Sequence, residues 1–154
     1  MAARVDILSV GSLHRHYEPV VRHYTDLLRP LASVTSREVK EVPLRGRSDA
    51  EMLRDEGRRL LAAWPQAPIV VALAIDGRTL ATAEFAAWLQ RCFERGGVGF
   101  VIGGSLGLSQ EVLTRADDRL SLSALTLPHQ LVRVVLFEQL FRAGKILRGE
   151  AYHH

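Results

Sequence analysis

Residues able to do chemistry gather in the last third of the chain. Gly103, Gly104 and Gly107 follow an apolar run over 98–102. Glycine lets the main chain turn with positive φ and approach a ligand closely, so a loop of this kind after a strand can cradle a molecule with backbone atoms. The stretch 120–143, LSLSALTLPHQLVRVVLFEQLFRA, holds the rest. Its apolar Leu120, Leu122, Leu125 and Leu127 are interspersed with Ser121, Ser123 and Thr126, the pattern of a short strand entering a loop. Small hydroxylated residues leave room there for a flat ligand and let amides and carbonyls face it. Arg133 and Arg142 are cations set into an apolar helix pattern. The plainer reading of the same stretch is a core strand, a turn and a core helix with two arginines that bury their stems.

Several chemistries are excluded. The glycine loop lacks the Gly-Lys-Ser/Thr ending of a phosphate-binding loop, and its spacing fails the G-x-G-x-x-G dinucleotide pattern. No His, Cys, Asp or Glu residues fall at metal-ligand spacing. Cys92 is the lone cysteine. It lies in a helix pattern beside Phe93, which assigns it to packing rather than to nucleophilic chemistry.

The elements that must position these residues alternate strand and helix. A strand over 5–10 is closed by Gly11. A helix through Val20, Val21, Tyr24, Leu27 and Leu28 stops at Pro30, in a region whose His14, Arg15, His16, Arg22, His23 and Arg29 read first as a solvated face and, alternatively, as a patch for phosphates. A second strand covers 33–42. Ser48 and Glu51 make a capping box for a helix carrying Met52, Leu53, Leu60, Leu61 and Trp64, with Gly57 inside it at a cost of about 1 kcal/mol against alanine. The continuous apolar run 68–75 reads as a strand buried on both faces of a parallel sheet, and Asp76-Gly77 reads as the turn that ends it. Thr82 reads as the cap of a helix reaching Arg95, which Gly96-Gly97 ends. Ser109 caps a short helix after the glycine loop. Pro128 suits the first turn of a helix over 129–143. This order predicts an α/β fold with a parallel sheet, whose ligands collect beyond the carboxyl ends of the strands.

The 154 residues predict one domain, 1–154. Nothing approaches the ~18 uninterrupted apolar residues of a membrane span, and the first residues do not read as a secretory signal. A single cysteine points to a reducing compartment. The net charge is only +3, yet the pI near 9.5 is compatible with a polyanionic partner.

The stretch 120–143 closely resembles the C-terminal signature of the large-subunit ribosomal RNA methyltransferase H family, of the SPOUT class. IGGSLGLS at 102–109 resembles that family's glycine-rich loop, and the terminal AYHH resembles its closing Tyr-His-basic motif. The resemblance covers essentially the whole chain, most strongly after Val98. It implies a SPOUT-type parallel-sheet fold with a C-terminal trefoil knot, a homodimer, and cytoplasmic S-adenosyl-L-methionine-dependent methylation of large-subunit ribosomal RNA at N3 of a pseudouridine within an assembled ribosome. By position, the implied cofactor contacts are Leu73, Gly103, Leu122, Ser123, Ala124, Leu125, Thr126 and Leu127. His129 and His153 are the alternatives for handling the imide proton. Arg133, Arg142, Tyr152 and His154 are the implied RNA contacts, with a cofactor carboxylate as another partner for the arginines. Departures from the family pattern at Ser12, Ala74, Leu106 and His154 favour, as an alternative, a related methyltransferase with another RNA target; a nonenzymatic RNA- or ribosome-binding module of the same fold is the third reading.

Overall fold

The computed structural model of the chain describes residues 3–151. Five strands form one parallel sheet in the order β2-β1-β4-β3-β5: β1 (Arg4–Val10), β2 (Ser33–Val39), β3 (Val70–Thr79), β4 (Gly97–Ile102) and β5 (Asp118–Ser121). Helices follow the strands: α1 (Glu18–Leu28), α2 (Asp49–Ala62), α3 (Thr82–Glu94), α4 (Gln110–Arg115) and α5 (His129–Leu147).

The strand sequences dictate the layering. β4 (GVGFVI) is buried at every position, because it is central and helices cover both faces. Phe100 and Ile102 of β4, with Ile7 of β1 and Val71 of β3, pack against α1, α3 and α5 through Leu28, Leu89 and Leu136. The alternate residues Leu8, Val70 and Val101 pack on the other face against Leu60 of α2 and Val112 of α4. Cys92 is buried in the first of these cores, and burial pushes its thiol up to about 11. It is a packed thiol at neutral pH, as its helical context predicts.

Four boundaries differ from the sequence reading. β2 ends at Val39, three residues short of Val42, whose N–H donates to the Glu56 carboxylate. Asp76-Gly77 does not end β3. Leu120 is in register with both Leu73 and Arg78, so 74–77 bulge out of a strand that then resumes. Gly77 permits this, since a Cβ there would lie 2.6 Å from the Leu120 carbonyl carbon. The Arg78–Asp118 ion pair closes the far side. Thr82 is not the cap of α3. Ala81 occupies that position, its N–H donating to Glu84 Oε1, while the Thr82 hydroxyl bonds Gln139 of α5 at 2.9 Å. α5 runs on to Leu147, with Gly144 inside it where a side chain would strike Leu31.

The mid-helix Gly57 also has a steric cause. A Cβ there would lie 2.4 Å from Ser109 Oγ and 3.2 Å from Ser109 Cβ. Ser109 is the cap of α4, accepting from the Val112 N–H. Gly57→Ala therefore sets about 1 kcal/mol of gained helix propensity against a lost cap and a crowded contact. The expected net result is a loss of about 1–2 kcal/mol, read from urea unfolding. A stabilised variant would show that α4 yields without cost.

Candidate functional site

The order β4-β3-β5 sets the bulge of β3 beside the carboxyl ends of β4 and β5, and three segments there enclose one cleft of about 840 Å³. The first is the β3 bulge, 73–76. The second is the glycine loop, 103–107. The third is 121–128, which leads from β5 into α5. The cleft thus lies where open α/β sheets bind ligands.

Each wall is shaped by its own local chemistry. In the glycine loop, the Gly107 N–H donates to the Gly104 carbonyl at 3.1 Å and closes a four-residue turn. Gly107 sits at φ +81, and a Cβ on Gly103 would stand 2.2 Å from the Gly107 oxygen. The turn therefore needs glycine for conformation at one end and for space at the other. In the third segment the serines serve the loop itself. Ser121 Oγ donates to the Ser123 carbonyl at 2.8 Å, and the Leu125 N–H donates to Ser123 Oγ at 2.9 Å. These bonds tie 121–125 to itself.

Of the residues expected at a cofactor, Leu73, Gly103, Leu122, Ser123, Leu125, Thr126 and Leu127 line the cleft together. Ala124 is exposed and does not line it. His129, the first residue of α5, lines the same cleft, with its imidazole 3.5 Å from the Gln130 amide nitrogen. Leu125 is 76% exposed and Ile75 65%, so the mouth of the cleft carries two large apolar side chains in water. Asp76 lies at the rim in an ion pair with Arg119. Leu106 contributes an apolar wall.

Both arginines have partners within the chain. The Arg133 side chain is 8% exposed. Its guanidinium donates to the Gly11 carbonyl at 3.0 Å and to Glu38 Oε2 at 2.5 Å. An arginine so enclosed has its fork of donors committed within the chain rather than displayed to phosphates. Arg142 pairs with Glu138 one turn earlier on α5 and does not line the cleft. Thirteen residues at about 100° each carry it to roughly the opposite side of the helix from His129. Tyr152, His153 and His154 lie outside the described residues.

The structure adds residues that the sequence reading passed over. Gln130 reaches back to the loop after β1, accepting from the His14 N–H at 2.7 Å and donating to the Ser12 carbonyl at 3.0 Å. Glu38 accepts from the Leu13 N–H as well as from Arg133. Together these side chains fasten the loop 11–14 beside the start of α5. Glu56 is buried at 4% exposure behind the glycine loop. Burial raises its carboxyl above the ordinary carboxylate value, opposed by the hydrogen bond from Val42.

The family described as "Predicted SPOUT methyltransferase" matches residues 3–153. Proteins called ribosomal RNA large subunit methyltransferase H from Listeria welshimeri and Listeria monocytogenes are each 45% identical over 158 residues, covering 97% of this chain and 98% of theirs. One of the same name from Bacillus thuringiensis is 42% identical with the same coverage. Among solved structures, a probable methyltransferase from Bordetella pertussis aligns with a TM-score of 0.58 at 14% identity, covering 92% of this chain and 95% of that one. The SpoU methyltransferase AviRb from Streptomyces viridochromogenes, in complex with AdoMet, aligns with a TM-score of 0.50 at 15% identity, covering 92% and 58% respectively. These two likenesses concern the fold.

Proposed function

The chain belongs to the SPOUT methyltransferase family, and from that premise we propose that it methylates large-subunit ribosomal RNA with S-adenosyl-L-methionine, at N3 of a pseudouridine. The observation that carries this reading is the convergence of three segments on one cleft, at the bulge of β3 and the ends of β4 and β5. The names of the relatives supply the RNA.

The cleft fits such a cofactor. Its floor contains a glycine at which even a methyl side chain would strike backbone. Its walls mix leucines with main-chain donors and acceptors, as an adenosine and an amino-acid tail require. When bound, S-adenosylmethionine supplies an already activated methyl group on a sulfonium, so the protein's task is alignment and exclusion of water. Leu73, Gly103, Leu122, Ser123, Leu125, Thr126 and Leu127 hold it in this reading, with Leu122 and Leu127 keeping water from the reacting centre. N3 of a pseudouridine carries an imide proton that must leave before or during attack. His129 at the cleft wall accepts it, or His153 does so from the closing motif. Tyr152 and His154 contact the RNA.

The reading also carries a C-terminal trefoil knot, a homodimer and a cytoplasmic setting. Leu131, Val134 and Val135 support the dimer, because α5 leaves all three half-buried. Among the described residues no helix is long and apolar enough to cross a membrane.

The test is methyl transfer from labelled cofactor to ribosomes that lack the modification, with the product mapped by mass spectrometry. Incorporation at one large-subunit pseudouridine is expected. Incorporation at another nucleotide would replace the target and keep the chemistry. Ribosome binding without incorporation would overturn the enzyme and leave a binding module.

A further inference from the structure

The dipeptide Glu56-Gly57 on α2 lies behind the start of the glycine loop and against the cap that follows it, although neither residue lines the cleft. Gly57 makes room for Ser109, the cap that follows the loop. Glu56 stands behind its start: a Cβ built on Gly104 would lie 3.5 Å from Glu56 Oε1 and 3.2 Å from Val10 Cγ1. The other oxygen, Oε2, accepts from the Val42 N–H at 3.2 Å. A carboxylate with 4% exposure is therefore packed directly beneath the loop that forms one wall of the cleft. Simple packing does not call for a charge here, and an apolar residue of similar size would fill the space without desolvation.

We infer that Glu56 is a positioning residue whose buried negative charge, acting through the glycine loop, makes the cleft prefer a cationic ligand over its neutral counterpart. The inference rests on the methyltransferase reading, and it deepens it. S-adenosylmethionine carries a sulfonium; the product, S-adenosylhomocysteine, is a thioether without that charge. Inside a protein a fixed charge acts over distances at which water would screen it. Glu56 thus favours capture of the methyl donor and release of the spent product. The other charged or titratable groups that act on Glu56 are Glu41 before α2, Arg59 on α2 and His129 on α5.

The arrangement carries a stability consequence with a definite sign. The folded carboxyl is raised above its ordinary value, chiefly by burial. Its favourable contribution is complete below the unfolded carboxylate value and is lost as pH rises through the folded one. Once ionised, the group works against folding, so packing alone does not account for it.

The experiment is calorimetric titration of the full chain with S-adenosylmethionine and, separately, S-adenosylhomocysteine, from about pH 5 to about pH 8. Glu56→Gln keeps an acceptor for Val42 and removes the charge. It is expected to melt no lower than the parent at neutral pH, to lose about tenfold in affinity for the sulfonium, and to change little toward the thioether. In the parent the preference for the sulfonium should fall as Glu56 takes up its proton. That acid limb should persist in His129→Gln and vanish in Glu56→Gln. Equal losses for both ligands would reduce Glu56 to a structural part and overturn the inference. So would an acid limb that disappears with His129, and this outcome is readable even where Glu56→Gln fails to fold. A parent that binds neither ligand at millimolar concentration would instead overturn the cofactor reading itself, and the inference with it.

Discussion

Gly103→Ala is expected to weaken S-adenosylmethionine binding on the order of 100-fold while the sheet stays folded. The added Cβ would stand 2.2 Å from the Gly107 oxygen and 2.6 Å from its carbonyl carbon. Both are backbone atoms, so no rotamer change relieves the contact. The turn closed by Gly107 N–H and Gly104 carbonyl must open, and the wall of the cleft moves with it. A displacement near one ångström at a binding wall is enough for an effect of this order. Gly107→Ala is the informative companion. It meets nothing within 4 Å but must hold φ +81, a strain of roughly 1–2 kcal/mol that the exposed end of the loop can share. Calorimetry should therefore rank Gly103→Ala far below Gly107→Ala, with melting curves confirming the fold. Equal affinities for parent and Gly103→Ala would remove the glycine loop from the site. A larger substituent such as tryptophan tests the same point less cleanly, because it adds bulk to a clash that the first carbon already makes.

The legible parts of the fold are those whose causes are local. β4 and the first half of β3 announce themselves as runs apolar on both faces, and the helices by caps such as Ser48 and Ser109, whose hydroxyls accept from N–H groups three residues on. The misread boundaries turn on distant partners. Asp76-Gly77 has the composition of a turn, but β5, more than 40 residues later, supplies the pairing that carries β3 past it. Thr82 has the composition of a cap, but its hydroxyl finds Gln139 instead. The cleft was legible because the glycine loop and the Leu-Ser stretch each favour exposed backbone, and the family resemblance joined them to Leu73. Ala124 fell on the outer side of the same loop, which a run of consecutive residues cannot reveal. Glu56 was readable in principle. It sits four residues from Met52 and four from Leu60, on the buried face of α2, with a glycine beside it. A carboxylate in the core stripe of a helix is a signal in itself. Gln130 and Glu38 gave no such sign, since their partners belong to the loop after β1.

Arg133 shows most plainly how burial changes a residue's meaning, and it carries the second large expectation. Arg133→Met should destabilise the protein by about 2–4 kcal/mol, measured by urea unfolding. Methionine fills the volume of the stem, so the loss isolates the guanidinium. That group holds the Gly11 carbonyl and Glu38 at once, and Glu38 also holds the Leu13 N–H. The figure stays below that of a fully buried pair because Glu38 is 39% exposed and can regain water. Arg133→Lys should recover only part of the loss, since an ammonium on a flexible stem does not reproduce the planar fork that spans both acceptors. The consequence extends to the cleft. Gln130, next to His129, binds the same loop at Ser12 and His14. Loosening 11–14 therefore loosens the first turn of α5, where the candidate proton acceptor sits. A phosphate-binding arginine behaves differently: its removal would leave unfolding unchanged and lower the salt slope of RNA binding by about one. Unfolding and salt titration on the same variant decide between the two roles. Unchanged stability with a reduced slope would return Arg133 to the RNA; lost stability with an unchanged slope makes it the clamp that sets the loop and the helix against each other.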